Sequence, residues 1–201
     1  LMPAGVIAQE RGRGRGSEHE EEDVAPPEDL MREHGVLKRV LFVYEEAIRR
    51  IDAKQDLSLD AVRNSAGIIR TFIEDYHEKL EEDYLFPRFE KARRLTELTQ
   101  VLRAQHLAGR RVTEQITRLA TAQTLKDQRA AATLRDAMHQ FVRMYGPHEA
   151  REDTVLFPAL RTIVSKQEFG ALGEEFEKKE HTLFGDDGFE SDPLFRRGGR
   201  E

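Results

Sequence analysis

Two histidines in this chain are each followed by a glutamate four residues later, at spacings that suit a metal site. These pairs are His77 with Glu81 and His148 with Glu152. A spacing of four residues places both side chains on one face of a helix, about one turn apart. Imidazole and carboxylate ligands favour iron, with manganese and zinc as alternatives. Because the chain has no cysteine, disulfides, thiolate chemistry, cysteine-type zinc sites and iron–sulfur clusters are excluded.

An internal repeat surrounds these two pairs. Residues 77–87 align without gaps on residues 148–158, and both segments begin with histidine and end with Phe-Pro. A further histidine precedes each segment at almost the same distance, since His34 lies 43 residues before His77 and His106 lies 42 residues before His148. The repeat predicts two similar helix pairs that face each other about an approximate two-fold axis.

The symmetric hypothesis assigns three metal ligands to each half of the repeat. It places His34 and His77 on one metal ion and His106 and His148 on the other. Glu81 and Glu152 would then bridge the two ions. Facing helices commonly build metal sites in this way in a bundle core. A bundle without metal would leave two carboxylates buried together without compensation.

The elements that must position these residues are helices. The first histidine lies on an apolar face with steps of four and three residues, Leu30, His34, Leu37 and Leu41, which is typical of a bundle helix. The sequence predicts helices from about 28 to 51, from Ser58 to about 87, over about 95–121 and over about 125–164, with a short fifth helix over 167–181. Pro87 should kink or end the second helix, and Gly146-Pro147 should kink the fourth just before His148.

The predicted fold class is therefore all-α, an up-down-up-down four-helix bundle with a short fifth C-terminal helix and flexible tails. We expect a flexible leader over residues 1–27, the bundle over 28–165, and a short helix and tail over 166–201. The net charge of −6 does not indicate a nucleic-acid-binding protein, and no apolar run is long enough to span a membrane. The short apolar start of the chain leaves both a cytoplasmic and an exported (periplasmic) location open.

The order His, His-x-x-x-Glu, His, His-x-x-x-Glu over about residues 28–165 resembles the hemerythrin-like (HHE cation-binding) family. The resemblance implies a four-helix bundle around two iron ions, an oxo- or hydroxo-bridged di-iron centre. It also implies a small diatomic or peroxide ligand, which is oxygen, nitric oxide or hydrogen peroxide. Peroxide decomposition of a peroxidase or catalase type is one expected activity. The alternative is an iron or oxygen sensor, or an iron-binding module without turnover.

The chain departs from the oxygen-carrying members at two positions. Those proteins have a second histidine four residues after the one on the third helix, where this chain has Arg110. They also end the fourth-helix motif with an aspartate five residues on, where this chain has Glu152 four residues on. These departures argue against reversible oxygen carriage. Glu78, beside His77, is either a replacement ligand or a solvated surface glutamate, and Arg110 either faces the site or lies on the surface.

The remaining candidates are weaker. His139 should lie on the opposite face of its helix from His148, His19 lies in an acidic segment, and His181 lies beyond the bundle. The tyrosines are either hydrogen-bond donors that orient ligands or core packing; they are Tyr44, Tyr76, Tyr84 and Tyr145. A ferritin-type oxidase needs a Glu-x-x-His pair on two helices, and only the segment from Glu74 to His77 fits.

Overall fold

The computed structural model describes residues 25–185, and within that range every regular element is helical. This confirms the all-α prediction. The helices are α1 (Pro26–Asp52), α2 (59–92), α3 (Thr96–Leu119), α4 (Ala122–Lys126), α5 (128–160) and α6 (Lys166–Phe184). The predicted leader and tail, including His19, lie outside the described residues except for their parts at 25–27 and 166–185.

Local chemistry explains where the helices start. α1 begins two residues earlier than predicted, because Pro26 and Pro27 occupy its first turn, where a missing N–H costs nothing. The acidic residues Glu28 and Asp29 follow in that turn. The predicted cap of α2 is confirmed, since the Ser58 hydroxyl accepts a hydrogen bond from the backbone N–H of Ala61. Asp127 caps α5 in the same manner.

The two long helices that carry the His-x-x-x-Glu pairs contain π-helical stretches. In α2 these are Ile69–His77 and Glu81–Leu85, and in α5 the stretch is Glu152–Leu156. The last two stretches lead into Phe-Pro, and a proline cannot donate the hydrogen bond that would keep the α-helical pattern. Neither helix ends at its proline, because α2 continues to residue 92 and α5 to residue 160. α5 keeps α-helical geometry through Pro147, and its wide turn follows His148.

Four long helices pack around one apolar core. α5 packs against α1 and α3, and α2 packs against the same two helices. α6 lies on α1 and buries Leu172 and Phe176. Tyr84 of α2 donates a hydrogen bond to Glu175 of α6 at 3.0 Å, which ties this helix to the bundle. Within residues 25–185, no helix is both long enough and apolar enough to cross a membrane.

Candidate metal centre

The six core candidates converge in the middle of the bundle. They come from four different helices, and each is at most 2% exposed; they are His34, His77, Glu81, His106, His148 and Glu152. Helical periodicity puts each of them on the inward face of its helix, and packing of the four helices then brings the six side chains together. Possible ligand atoms of all six lie in two overlapping groups that share Glu81.

The histidines meet in the pairs that the symmetric hypothesis predicted. The Nε2 atoms of His34 and His77 are 3.1 Å apart, and those of His106 and His148 are 3.2 Å apart. One histidine of each pair stacks on a phenylalanine, His34 on Phe157 and His106 on Phe86. These are the phenylalanines of the two Phe-Pro motifs, so the apolar walls of the site repeat as well.

Each of the two central carboxylates faces both histidine pairs. Glu81 directs Oε1 to His77 Nε2 at 3.9 Å and Oε2 to His106 Nε2 at 3.3 Å. Glu152 directs Oε2 to His34 Nε2 at 3.4 Å and Oε1 to His148 Nε2 at 3.0 Å. A carboxylate with one oxygen toward each pair has the position that a bridging ligand needs.

The outer nitrogen of every imidazole has an oxygen partner. His34 Nδ1 lies 2.8 Å from Asp153, and His77 Nδ1 lies 2.5 Å from Glu33. When these carboxylates are ionised they can only accept, and the ring N–H is then the donor in both contacts.

The second pair of rings has equivalent contacts. His106 Nδ1 lies 3.1 Å from Glu82, and His148 Nδ1 lies 3.0 Å from the amide oxygen of Gln105. A neutral ring with its proton on Nδ1 has a lone pair on Nε2. When all four rings are neutral, their Nε2 lone pairs point to the centre, which is the arrangement of metal-binding histidines.

Burial and neighbouring charges strongly shift the pKa values of these groups. Burial and the neighbouring Glu152 raise the pKa of Glu81 well above its usual range, whereas burial lowers the pKa of His77 well below it. Burial alone would lower the pKa of His34, but the neighbouring carboxylates of Asp153 and Glu152 raise it to about 9. Burial also raises the pKa of Glu33. Neighbouring groups whose pKa values are shifted in opposite directions are typical of functional sites.

The donor set fits a cation. None of the four oxygens of Glu81 and Glu152 makes a well-formed hydrogen bond with any described residue, although the imidazole Nε2 atoms lie close to them. Two buried carboxylates and four inward-pointing lone pairs repel one another unless positive charge lies between them. Nitrogen and oxygen ligands without sulfur suit iron, manganese or zinc.

Glu78 and Arg110 form a polar cluster beside this centre, joined to His106 through Glu82. Glu78 is 1% exposed, accepts a hydrogen bond from the Tyr145 hydroxyl at 2.6 Å and pairs with Arg110 at 2.8 Å. Arg110 also contacts Glu82 at 2.8 Å. Burial raises the pKa of Glu78 to about 8. The reading of Glu78 as a solvated surface glutamate is therefore wrong, and Arg110 faces the site. Whether Glu78 binds metal stays a prediction.

The weaker candidates lie away from the centre or serve the core. His139 is exposed, as expected, and so is His181. Tyr44, Tyr76 and Tyr145 are buried. The Tyr145 hydroxyl donates a hydrogen bond to Glu78 of the polar cluster, so this tyrosine can orient groups near the site.

The oxygen partners of the Nδ1 atoms were not anticipated from the sequence. Each of them, however, directly neighbours a candidate ligand: Glu33 precedes His34, Gln105 precedes His106, Glu82 follows Glu81, and Asp153 follows Glu152. A polar side chain beside every ligand was the available signal. Helix geometry alone could not assign a partner, because each contact joins two different helices.

Comparisons with known proteins agree with this geometry. The family model described as the hemerythrin HHE cation-binding domain matches residues 25–160. Curated relatives include uncharacterized proteins of Mycobacterium bovis and of two Mycobacterium tuberculosis strains. Each is 50% identical in an alignment 198 residues long that covers 94% of this chain and 78% of the relative. No solved structure matches the chain.

Proposed function

The chain belongs to the hemerythrin HHE cation-binding family, and we propose that it holds two iron ions that bind or react with a small oxidant. His34 and His77 would hold one ion, and His106 and His148 the other, with Glu81 and Glu152 between them. The observation that carries the proposal is the direction of the four Nε2 atoms, all inward and all within 4 Å of one of these carboxylates.

The protein residues define what the site can accept. Two iron ions, when bound, supply electrons to or accept electrons from a ligand such as oxygen, hydrogen peroxide or nitric oxide. The Nδ1 acceptors fix the rings and keep the protons off Nε2. Phe157 and Phe86 stack on His34 and His106 and give the site apolar walls. Arg110, 21% exposed, pairs with Glu78 and Glu82 beside the site.

Peroxide decomposition is the activity that we propose first. Arg110 stands where the oxygen carriers of the family have a histidine, which argues against simple reversible oxygen carriage. Glu78 and Tyr145 lie beside it and can hold a proton close to the centre, since the Tyr145 hydroxyl already donates to Glu78. A buried acid with a pKa near neutrality is suited to moving protons.

The second candidate function is an iron-binding or sensing module without turnover. It is favoured by the tight, buried packing of all six candidate ligands, which links metal binding to folding.

The four long helices are joined by short connections at 53–58, 93–95 and 120–127. We propose that they run up-down-up-down, because short connections join antiparallel neighbours.

Metal analysis and peroxide turnover test the proposal. The full chain is loaded with ferrous iron under anaerobic conditions, desalted and oxidised. We expect two irons per chain, with the near-ultraviolet absorption of a bridged ferric pair. Hydrogen peroxide is then added, and we expect oxygen release well above that of the same amount of free iron.

Matched histidine variants provide the control. His77→Ala should lose iron and turnover, whereas His139→Ala, exposed on α5, should keep both. Full iron in His77→Ala would refute the ligand assignment, and less than one metal per chain in the wild type would refute the di-iron centre. Two irons without peroxide turnover would favour the sensing or binding module instead.

A further inference from the structure

The two histidine pairs look alike at the centre but differ in the groups behind them. The Nε2 separations are 3.1 and 3.2 Å, and both pairs share the same two carboxylates. The Nδ1 acceptors are not equivalent. Because an acceptor behind a metal-binding imidazole changes the basicity of the ring, this outer layer can make the two metal positions unequal.

At the His34–His77 position, both acceptors are carboxylates. His34 faces Asp153 at 2.8 Å and His77 faces Glu33 at 2.5 Å. Among the described residues, neither carboxylate forms an ion pair with lysine or arginine. Glu33 is fully buried, so its carboxylate contacts the His77 ring inside the protein.

At the His106–His148 position, the acceptors supply far less negative charge. His148 faces the neutral amide of Gln105, which is partly exposed. His106 faces Glu82, but this carboxylate is shared with Lys79 at 2.7 Å and Arg110 at 2.8 Å. Gln105 occupies the position that Glu33 has in the other half, since each residue directly precedes the histidine of its helix.

We infer that the His34–His77 position binds a divalent cation first and more tightly, and that Gln105 keeps the His106–His148 position the weaker, exchangeable one. This inference rests on the proposed binding of two metal ions. The physical cause is electrostatic: two carboxylates without basic partners lie behind the first pair, and a neutral amide and a neutralised carboxylate lie behind the second. Gln105 and Glu33 act as positioning residues through the rings they contact.

Titration with cobalt(II) alone tests the inference, because its visible bands report coordination and it does not undergo the redox chemistry of iron here. The metal-free full chain should bind two cobalt ions in two resolved steps. Replacing an acceptor behind a metal-binding histidine typically changes affinity by about 10- to 100-fold. We therefore expect Gln105→Glu to tighten the second step about 10-fold, and Glu33→Gln to weaken the first by a similar factor.

Further variants assign the steps and control for charge. His148→Ala should abolish the weak step and keep the tight one, whereas His34→Ala should abolish the tight step. Gln100→Glu makes the same charge change at an exposed position of α3 and should leave both steps unchanged. Gln105→Glu and Gln100→Glu add a carboxylate without removing any contact of the core. These two variants therefore still test the inference if Glu33→Gln fails to fold.

The outcomes separate the inference from the proposed function. Two cobalt ions bound with equal affinity, or a second step that Gln105→Glu and Gln100→Glu change equally, would overturn the inference and leave the two-metal centre standing. Assignment of the tight step to the His106–His148 position would overturn it as well. Binding of fewer than two ions by the wild type would refute the proposed centre itself.

Discussion

In the first half of the bundle, formed by α1 and α2, Lys38 lies 3.7 Å from Glu149 and is 48% exposed. In the second half, formed by α3 and α5, Arg110 occupies the equivalent position and lies 2.8 Å from both Glu78 and Glu82. Both basic residues stand four positions after the histidine of their helix. The halves thus share a plan, but only the second has a basic residue drawn into the polar surroundings of the site.

A second difference accompanies the first. Leu37 of α1 corresponds to Gly109 of α3, and Glu74 of α2 corresponds to Tyr145 of α5. A Cβ atom at Gly109 would overlap the Tyr145 hydroxyl, so the glycine makes room for the ring. Tyr145 in turn reaches Glu78 of the first half. The two halves thus have the same types of candidate ligand but different residues around those ligands.

The largest loss of metal and stability should come from replacing the two central carboxylates, which face both histidine pairs. Glu81→Ala and Glu152→Ala should each lose both metals, because each carboxylate faces both histidine pairs. At a metal concentration a thousandfold above Kd, losing one site lowers the free energy of unfolding by about 4 kcal/mol. Metal content and melting temperature measure this. Glu45→Ala on the exposed face of α1 is the control, and one retained metal in either variant would argue against bridging.

Glu78 and its counterpart Glu149 should differ in how strongly they make the stability of the protein depend on pH in the presence of a chelator. Burial raises the pKa of Glu78 to about 8, so between the ordinary value of 4.5 and 8 the folded state binds more protons than the unfolded state. Stability should therefore fall as pH rises through this window, by up to roughly 1.4 kcal/mol per pH unit. Glu78→Gln should remove this dependence.

Denaturant unfolding of wild type and variant between pH 5 and pH 8 measures the difference. Glu149→Gln should change the pH dependence in the same direction but less, because Glu149 is 13% exposed and burial raises its pKa without the enclosure that Glu78 has. A constant difference between wild type and Glu78→Gln over this range would contradict the raised pKa.

The two basic residues should differ in their contribution to stability. Arg110→Ala leaves two carboxylates without their basic partner, at a cost of about 2–4 kcal/mol from charge-assisted hydrogen bonds. Lys38→Ala removes one exposed ion pair, worth less than about 1 kcal/mol. Urea unfolding of the metal-free proteins gives both values. Equal losses of stability in the two variants would show that Arg110 and Lys38 contribute equally to the two halves.

The smallest effect concerns two helical glycines. Gly109→Ala should destabilise the protein by about 1–2 kcal/mol, since overlap with Tyr145 outweighs the gain in helix propensity. Gly35→Ala, in a helix with nothing within 4 Å of the added atom, should stabilise it by about 0.5–1 kcal/mol. Thermal unfolding reports the sign of each change. Stabilisation by Gly109→Ala would mean that Tyr145 can move aside.

The helices and the core candidates were predictable because the information is local. Ser58 caps α2 as expected, and the spacing of His77 and Glu81 fixes a shared helix face whatever surrounds it. The internal repeat then indicated how the halves pair. The sequence left open whether Pro87 kinks or ends α2, and the structure shows that the helix continues to residue 92. Packing in a bundle can hold a helix together where a proline would weaken it.

The sequence by itself thus determined which six residues could meet, because helical periodicity is set by neighbours along the chain. Only the tertiary structure decided what stands behind them. Glu33 reaches His77 from 44 residues away, and Asp153 reaches His34 from 119 residues away. Such contacts depend on how helices rotate and slide against each other, and no spacing in the chain encodes that directly. The sequence shows that Glu33 corresponds to Gln105 in the other half. Only the structure shows that Glu33 contacts the ring of His77 and that Gln105 contacts the ring of His148.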